Sequence, residues 1–287
     1  MNDIAGAQAR MDEEVDAPRN GDPAGEDKNS MPGMSITEAE RAWALTIKEA
    51  VEANDEIDNL SDFWYAQLAI VDHDNVDAAQ QHSAHMQAFR QEYDIRDNLE
   101  DAKSTVWEFL TLFDRPWVLA FSYSVESQSY IWVVDIAQID KKDLVTNKQW
   151  RIYLAGLYYL RQALNPNLRA ISTGISIIHE CEGFDFGKMG GLEHVARMAR
   201  ELIGEYPARH YSLRFFHTGY FVNVMMSTIK RFLPKNMTER MEYGCSCDGR
   251  LDQIWLVPDA KTVLQRNYIR IMQTLQLRYE NEARFSL

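Results

Sequence analysis

The chain has 287 residues, of which 46% are hydrophobic, and a formal net charge of −13 at pH 7. A chain of this length can bury a full hydrophobic core, and its acidity argues against a nucleic-acid-binding protein, which usually carries a basic domain. Its apolar runs are far shorter than the ~18 residues of a membrane span, and its polar, acidic start is unlike a signal peptide. With three cysteines, it is expected to be a soluble cytoplasmic protein with free thiols.

The charge is unevenly distributed along the chain. Residues 36–100 contain 15 acidic and 4 basic side chains, whereas residues 197–240 contain 8 basic and 3 acidic ones. A basic patch in an acidic protein indicates an anionic partner, although ordinary solvated surfaces produce the same pattern.

The first hundred residues predict a tail followed by helices. Residues 1–35 are rich in Asp, Glu, Gly and Pro and poor in branched and aromatic residues, which predicts a disordered acidic tail. Ser35 is the predicted N-cap of the first helix, with Glu38 as its capping-box partner. Residues 36–100 form a predicted all-helical lobe with helices at 38–52, 61–71 and 76–91, in which Ser61 and Asp74 are the other predicted N-caps. A further helix is predicted at residues 98–113.

Strand-like runs appear after residue 117. Residues 117–121 and 130–134, joined by a polar loop, predict a β-hairpin. Further strands are predicted at residues 170–178, with Ile171, Ile175 and Ile177 on one face, and at residues 213–216 and 238–244, while residues 249–257 look extended. Helices are predicted at residues 147–164, 187–204 and 260–284. Strands that alternate with helices indicate an α/β layer with crossover connections.

Residues 219–233 predict a helix that is apolar on almost every side. Such a helix is either fully buried or contacts something hydrophobic. Basic residues flank it at Arg209, Arg214, Lys230, Arg231, Lys235 and Arg240. An apolar helix surrounded by cations suggests a lipid or a membrane surface.

Two segments, ISTGISIIHECEGFDFGKM and EYPARHYSLRFFHTGYFVNVMMSTIKRFLPKNMTERMEYG, together resemble the CRAL-TRIO lipid-binding family. That family includes phosphatidylinositol-transfer, tocopherol-transfer and retinaldehyde-binding proteins. The shared features are an acid and a glycine after a strand (Glu180 and Gly183), Tyr206-Pro207 after a helix, an aromatic-rich helix, and a strand that ends at Gly244. The resemblance extends from about residue 60 to residue 257 and includes Arg90 in the helical lobe.

The resemblance implies a mixed sheet that floors an apolar pocket, with helices over it and a small helical lobe before it. It divides the chain into the tail, the lobe, a CRAL-TRIO-like domain at residues 101–258 and a C-terminal helix at residues 259–287. Residues 219–233 become a mobile gate helix. The implied pocket and gate residues are Ile175, Ile177, Phe216, Tyr220, Phe221, Val224, Met225, Ile229 and Phe232. Implied contacts with an anionic headgroup or membrane are Arg209, Lys230, Arg231 and Arg240.

The chain departs from the family pattern at the headgroup positions. Ile175 and Ile177 replace hydroxyl residues of phosphatidylcholine-binding members. Arg209 and Arg240 keep two basic positions of phosphoinositide-binding members, whereas Tyr211 and Asn236 replace two others. The resemblance therefore implies a lipid-binding protein without naming the lipid.

The function expected from the sequence is binding of one phospholipid or other small hydrophobic molecule and its transfer between membranes. The protein would be a cytoplasmic monomer that contacts anionic membranes transiently and binds no nucleic acid or cofactor. The alternative is a non-transferring adaptor of the same fold that binds a protein. No nucleophile, base and acid have usable spacing, so an enzyme is not expected. A zinc site of His179, Cys181, Cys245 and Cys247 is a further hypothesis, although buried inert thiols are the commoner outcome.

Overall fold

The computed structural model describes residues 33–113, 115–124, 128–139, 146–185, 187, 206–218, 238–245 and 259–287. The predictions for residues 187–204, 219–233 and 249–257 therefore lie almost wholly outside the described residues. The helices are α1 (Glu38–Glu52), α2 (Asp62–Asp72), α3 (Val76–Tyr93), α4 (Leu99–Leu110), α5 (Asn147–Leu164), α6 (Leu168–Thr173) and α7 (Ala260–Arg284). The strands are β1 (Val118–Ser124), β2 (Ser129–Asp135), β3 (Ile175–Glu180), β4 (His210–Phe216) and β5 (Met241–Cys245).

Helices α1, α2 and α3 form the predicted helical lobe, and local capping fixes where they begin. The Ser61 hydroxyl accepts from the backbone of Trp64, which confirms the predicted cap of α2. The predicted cap of α1 was wrong by two residues, because Thr37 and Glu40 form the complete capping box. Asn75, not Asp74, caps α3, because its side chain accepts from the backbone of Ala78.

The segment before α1 packs against the lobe. Met34, which the sequence placed in the tail, is only 6% exposed and contacts a cluster that includes Phe63, Ile70 and Ile171. The backbone of Arg169 donates to the carbonyl of Gly33. Gly33 and Met34 are therefore part of the folded structure and not of a disordered tail.

The five strands form one mixed sheet in the order β1-β2-β3-β4-β5. The hairpin β1–β2 is antiparallel, and β2, β3, β4 and β5 run parallel to their neighbours. Parallel neighbours require crossover connections, and α5 supplies the connection from β2 towards β3. The predicted mixed α/β fold with a preceding helical lobe is confirmed.

The segment before β3 corrects the sequence prediction. A strand was predicted over residues 170–178, but residues 168–173 form α6, so Ile171 lies on a helix. The Asn167 side chain caps this helix by accepting from the backbone of Ala170, and Gly174 ends it with a φ of +91°. Only then does the chain extend into β3. A short run of Ile, Ser and Thr does not distinguish one helical turn from a strand.

The sheet has two faces with different neighbours. The helix-packed face carries Trp132, Ile177, Leu213 and Phe215, which belong to one large core cluster with residues of α4, α5 and α7. The far face carries Ala120, Val133, Ile178 and Phe216, which form a separate small cluster. Because successive strand residues point to opposite faces, each strand contributes to both clusters.

Helix α7 protects the outer edge of the sheet. Its Asn267 side chain donates to the carbonyl of Val118 at 2.7 Å, and Arg266 and Arg270 donate to the carbonyls of Leu119 and Phe121. These carbonyls on β1 would otherwise be unpaired edge groups. None of the described helices is both long and apolar enough to span a membrane.

Candidate ligand-binding site

Ile175 and Ile177 lie side by side on β3, on the helix-packed face. They are 0% and 6% exposed, and Ile177 is in register with Trp132 on β2 and Leu213 on β4. Both belong to the large core cluster. The predicted pair therefore shares one apolar surface in the middle of the sheet, and its role as a pocket floor stays a prediction.

Phe216 lies on the opposite face of the sheet. It is 5% exposed and packs with Ala120, Val133 and Ile178. The structure therefore does not bring Phe216 together with Ile175 and Ile177. Its neighbour Phe215 occupies the helix-packed face, where its ring stacks on His179 with centroids 4.6 Å apart. In the sequence, the alternation of side chains along the strand from Leu213 onward places Phe215, and not Phe216, on the same face as Leu213.

The other predicted pocket, gate and membrane residues lie outside the described residues. These are Tyr220, Phe221, Val224, Met225, Ile229, Lys230, Arg231 and Phe232. A cleft of about 310 Å³ lies in the helical lobe, between residues 58–60 and 86–95, and shares no lining residue with the predicted pocket.

Arg209 and Arg240 both lie where a parallel strand begins. Arg209 precedes β4, and its guanidinium donates to the His73 Nε2 at 2.8 Å and to the carbonyl of Ser172 at 3.4 Å. Arg240 precedes β5 and donates to the carbonyl of His210. Among the described residues, no carboxylate forms an ion pair with either arginine. The structure thus brings these two predicted contacts to the same end of the sheet.

His210 shows how positive this end of the sheet is. Burial, together with the smaller effects of the charges of Arg161 and Arg240, lowers its pKa to about 3. Gly174 lies close by with its φ of +91°, and a side chain there would come within 3.0–3.1 Å of the backbone of Tyr211 and Arg209. Glycine therefore permits the close approach of β3 and the segment that carries Arg209.

The Tyr206-Pro207 motif docks on the helical lobe through Gln67 and Arg278. The Gln67 amide donates to the carbonyl of Pro207 at 2.6 Å, and the Arg278 guanidinium donates to the Gln67 Oε1 at 2.8 Å. Trp64 of the lobe packs edge-to-face on Tyr206, with centroids 5.5 Å apart. Gln67 and Arg278 could not be predicted from the sequence, because no local feature marks a buried polar residue whose partners are distant in the chain.

The hypothesis of a zinc site at His179 and Cys181 meets an unfavourable environment at the cysteine. Burial lowers the pKa of His179 to about 4, which keeps its imidazole in the neutral form that binds metals, and its ring is stacked on Phe215. Burial raises the pKa of the Cys181 thiol to about 12, with further contributions from Glu180 and Asp135. A zinc-binding cysteine must be a thiolate, so Cys181 is a poor ligand. The Cys245 side chain and Cys247 lie outside the described residues.

Residues 126–245 match the model of the CRAL/TRIO domain. The matched segment begins in the β1–β2 loop and ends with the last residue of β5. This segment of the chain is similar to CRAL/TRIO domains. The resemblance seen in the sequence is therefore confirmed for this part of the chain, whereas the helical lobe and α7 lie outside the match.

Comparisons with whole proteins add little to this assignment. No curated protein matches the chain. Among solved structures, the chain is similar to the crystal structure of Sfh5, with a TM-score of 0.49 and 13% sequence identity over 77% of this chain and 85% of that chain. The CRAL/TRIO domain match is thus the comparison that bears on function.

Proposed function

We propose that this protein binds one hydrophobic molecule, a phospholipid or another small lipid, and transfers it between membranes. The observation that carries the proposal is the match of residues 126–245 to the CRAL/TRIO domain. The function is binding and release, with no covalent bond made or broken. The protein acts as a cytoplasmic monomer in transient contact with membranes.

The pocket lies over the helix-packed face of the sheet in this proposal. The apolar side chains of Ile175 and Ile177 support it, because an alkyl-chain ligand needs an apolar floor. Residues 219–233 form the gate, a role that rests on the family resemblance of their sequence. Two isoleucines cannot hydrogen-bond a headgroup, so the part of the ligand above them is hydrocarbon.

Arg209 and Arg240 bind the anionic headgroups of a membrane, phosphoinositides included. Both lie at the amino end of parallel strands, and no described carboxylate neutralises either one. Their charges are therefore available to phosphate groups. Lys230 and Arg231 are the two further basic residues that the family resemblance implies for this contact.

Native mass spectrometry of the full chain purified from cells tests the proposal. We expect the protein to carry one lipid-sized ligand and to take up fluorescent phospholipid from donor liposomes. A protein that arrives empty and takes up no lipid would contradict the proposal and favour the adaptor alternative. Lipid uptake without delivery to acceptor liposomes would show binding without transfer.

A further inference from the structure

Three potential metal ligands converge where β3 and β4 end. Glu180 is the last residue of β3, Glu182 follows in the next turn, and His217 directly follows β4. One ligand atom from each of these side chains lies within 4.8 Å of the others. The His217 Nδ1 is 2.8 Å and 2.9 Å from the two carboxylate oxygens of Glu180. Two ligand atoms that each lie ~2.1 Å from the same ion are about 3.0–3.4 Å apart. The His217 and Glu180 side chains therefore need to move only slightly to accommodate an ion.

A further carboxylate, that of Asp135, lies beside these three ligands. Asp135 ends β2 and is in register with Glu180, so two carboxylates are neighbours across adjacent strands. The Glu180 side chain is only 7% exposed. Asp135 accepts from the backbone of Ala137 and the amide of Gln138, both at 3.0 Å, and these donors are neutral. A buried carboxylate beside a second one is costly without a cation.

The site lies at the carboxyl end of parallel strands, the edge at which open α/β sheets bind ligands. Glu182 is exposed and reaches the cluster from the turn at Gly183, while His217 is 44% exposed. An ion from solvent therefore has access to the buried carboxylate of Glu180. This edge is opposite the end of the strands that carries Arg209 and Arg240.

We propose that Glu180, Glu182 and His217 bind a single Zn²⁺ ion that joins the ends of β3 and β4. One imidazole nitrogen and two carboxylates are a ligand set that suits Zn²⁺, whereas Ca²⁺ and Mg²⁺ prefer oxygen ligands alone. Asp135 adds negative charge behind the ligands. The ion takes the place of the direct contact between the His217 Nδ1 and the Glu180 carboxylate.

The site differs from the cysteine-based zinc hypothesis in both ligands and position. It uses no thiol, and two of its three ligands, Glu182 and His217, are exposed. Replacing Cys245 and Cys247 by alanine therefore leaves zinc binding unchanged. Loss of binding in that double variant alone would contradict the proposal and assign the ion to the thiols.

Zinc titration of the full chain, stripped with a chelator and followed by competition with a chromophoric chelator, tests the site. We expect one Zn²⁺ per chain, a Kd at least about 10-fold higher in Glu182→Gln, and a similar loss in His217→Gln. Replacing Zn²⁺ by Co²⁺ is expected to give visible absorption bands that both substitutions alter. Calcium and magnesium are expected to compete weakly.

Glu182→Gln is the decisive variant, because Glu182 is exposed and its substitution leaves the core intact. Glu242→Gln is the matched control, since it removes an exposed carboxylate from β5 that pairs with Arg214 instead. Circular dichroism confirms that each variant is folded. An absence of zinc binding with the metal in excess, or equal Kd values for Glu182→Gln and the unchanged protein, would overturn the proposal.

Discussion

Two partly buried histidines lie in the strands of the sheet and are held uncharged. Burial lowers the pKa of His179 to about 4 and that of His210 to about 3, against 6.5 for an unperturbed histidine. In the unfolded chain both side chains bind a proton as the pH falls through 6.5, whereas in the folded protein they stay neutral until a much lower pH. Their contribution to stability is therefore complete above pH 6.5 and declines as the pH falls towards 4.

The low pKa values of the two histidines predict that the folded protein loses stability as the pH falls. Between pH 7 and pH 5 we expect them to lower the free energy of unfolding by about 1–2 kcal/mol each. The variant His179→Gln/His210→Gln should lose less stability over this interval, whatever its stability at pH 7. Urea unfolding at both pH values measures the difference.

His85→Gln is the control for this experiment, because His85 is exposed on α3. It is expected to lose as much stability between pH 7 and pH 5 as the unchanged protein. If the double variant also shows the full loss, the two partly buried histidines are not its source.

At the scale of elements, the packing of α4 on α5 depends on one glycine. A Cβ on Gly156 would overlap the ring of Phe109, which is fully buried. Phe109 in turn packs edge-to-face on Trp117, with centroids 4.7 Å apart. The lack of a side chain at Gly156 therefore allows the backbone of α5 to approach α4 this closely.

Gly156→Ala tests this close approach. Alanine favours a helix over glycine by about 1 kcal/mol, but forcing a methyl group into a packed core costs about 1–3 kcal/mol. Because the added methyl group would overlap a buried ring, we expect the cost of overpacking the core to exceed the gain in helix propensity. Thermal or urea unfolding should therefore show a less stable protein.

A double-mutant cycle separates the two terms. Phe109→Ala removes the Cγ and Cδ2 atoms that the added methyl group would overlap, so Gly156→Ala should cost less in that background than alone. Additive effects of the two substitutions would show that Phe109 is not the obstacle. Ser104→Ala, on the exposed face of α4, is expected to change stability by no more than about 0.5 kcal/mol.

At the scale of the molecule, Arg278 of α7 joins the lobe to the rest of the fold. Its side chain is 0% exposed, with the guanidinium carbon 4.0 Å from the ring centroid of Phe63 and 4.6 Å from that of Trp64. It donates to Gln67 of α2 and to the carbonyl of Asn165 after α5. The C-terminal helix is therefore part of the common core of lobe and sheet.

Membrane docking is also a property of the whole molecule. In Arg209→Glu/Arg240→Glu, each reversal removes an attraction to anionic lipid worth about 1 kcal/mol and adds a repulsion. We expect binding to phosphatidylserine-containing liposomes to weaken at least about 30-fold, which cosedimentation measures. The effect should shrink at high salt, because the interaction is screened.

Arg41→Glu/Lys261→Glu is the matched control for docking. It changes the net charge by the same amount at two exposed helical positions away from the strand ends. Its binding to the liposomes should fall much less. Equal losses in the two double variants would show that net charge, and not the position of Arg209 and Arg240, governs docking.

The sequence by itself determined most of the secondary structure. The bounds of α5 and α7 agree with the prediction because both helices have local start signals. Thr146 and Gln149 form a capping box for α5, and Asp259 caps α7. The family resemblance likewise depends on short segments that are recognisable in the chain itself. The α/β layer with crossover connections followed from the alternation of strands and helices, whereas the mixed sheet was implied by the family resemblance.

Only the tertiary structure decided which side chains meet. It placed Phe216 on the far face and Phe215 beside His179, and it buried Arg278 between α2 and α5. It also joined His217 to Glu180, 37 positions away in the chain. Caps and periodicity arise from neighbours within a few residues, so the sequence shows them directly. Contacts across strands depend on register and on the direction of each side chain, which only the folded chain determines.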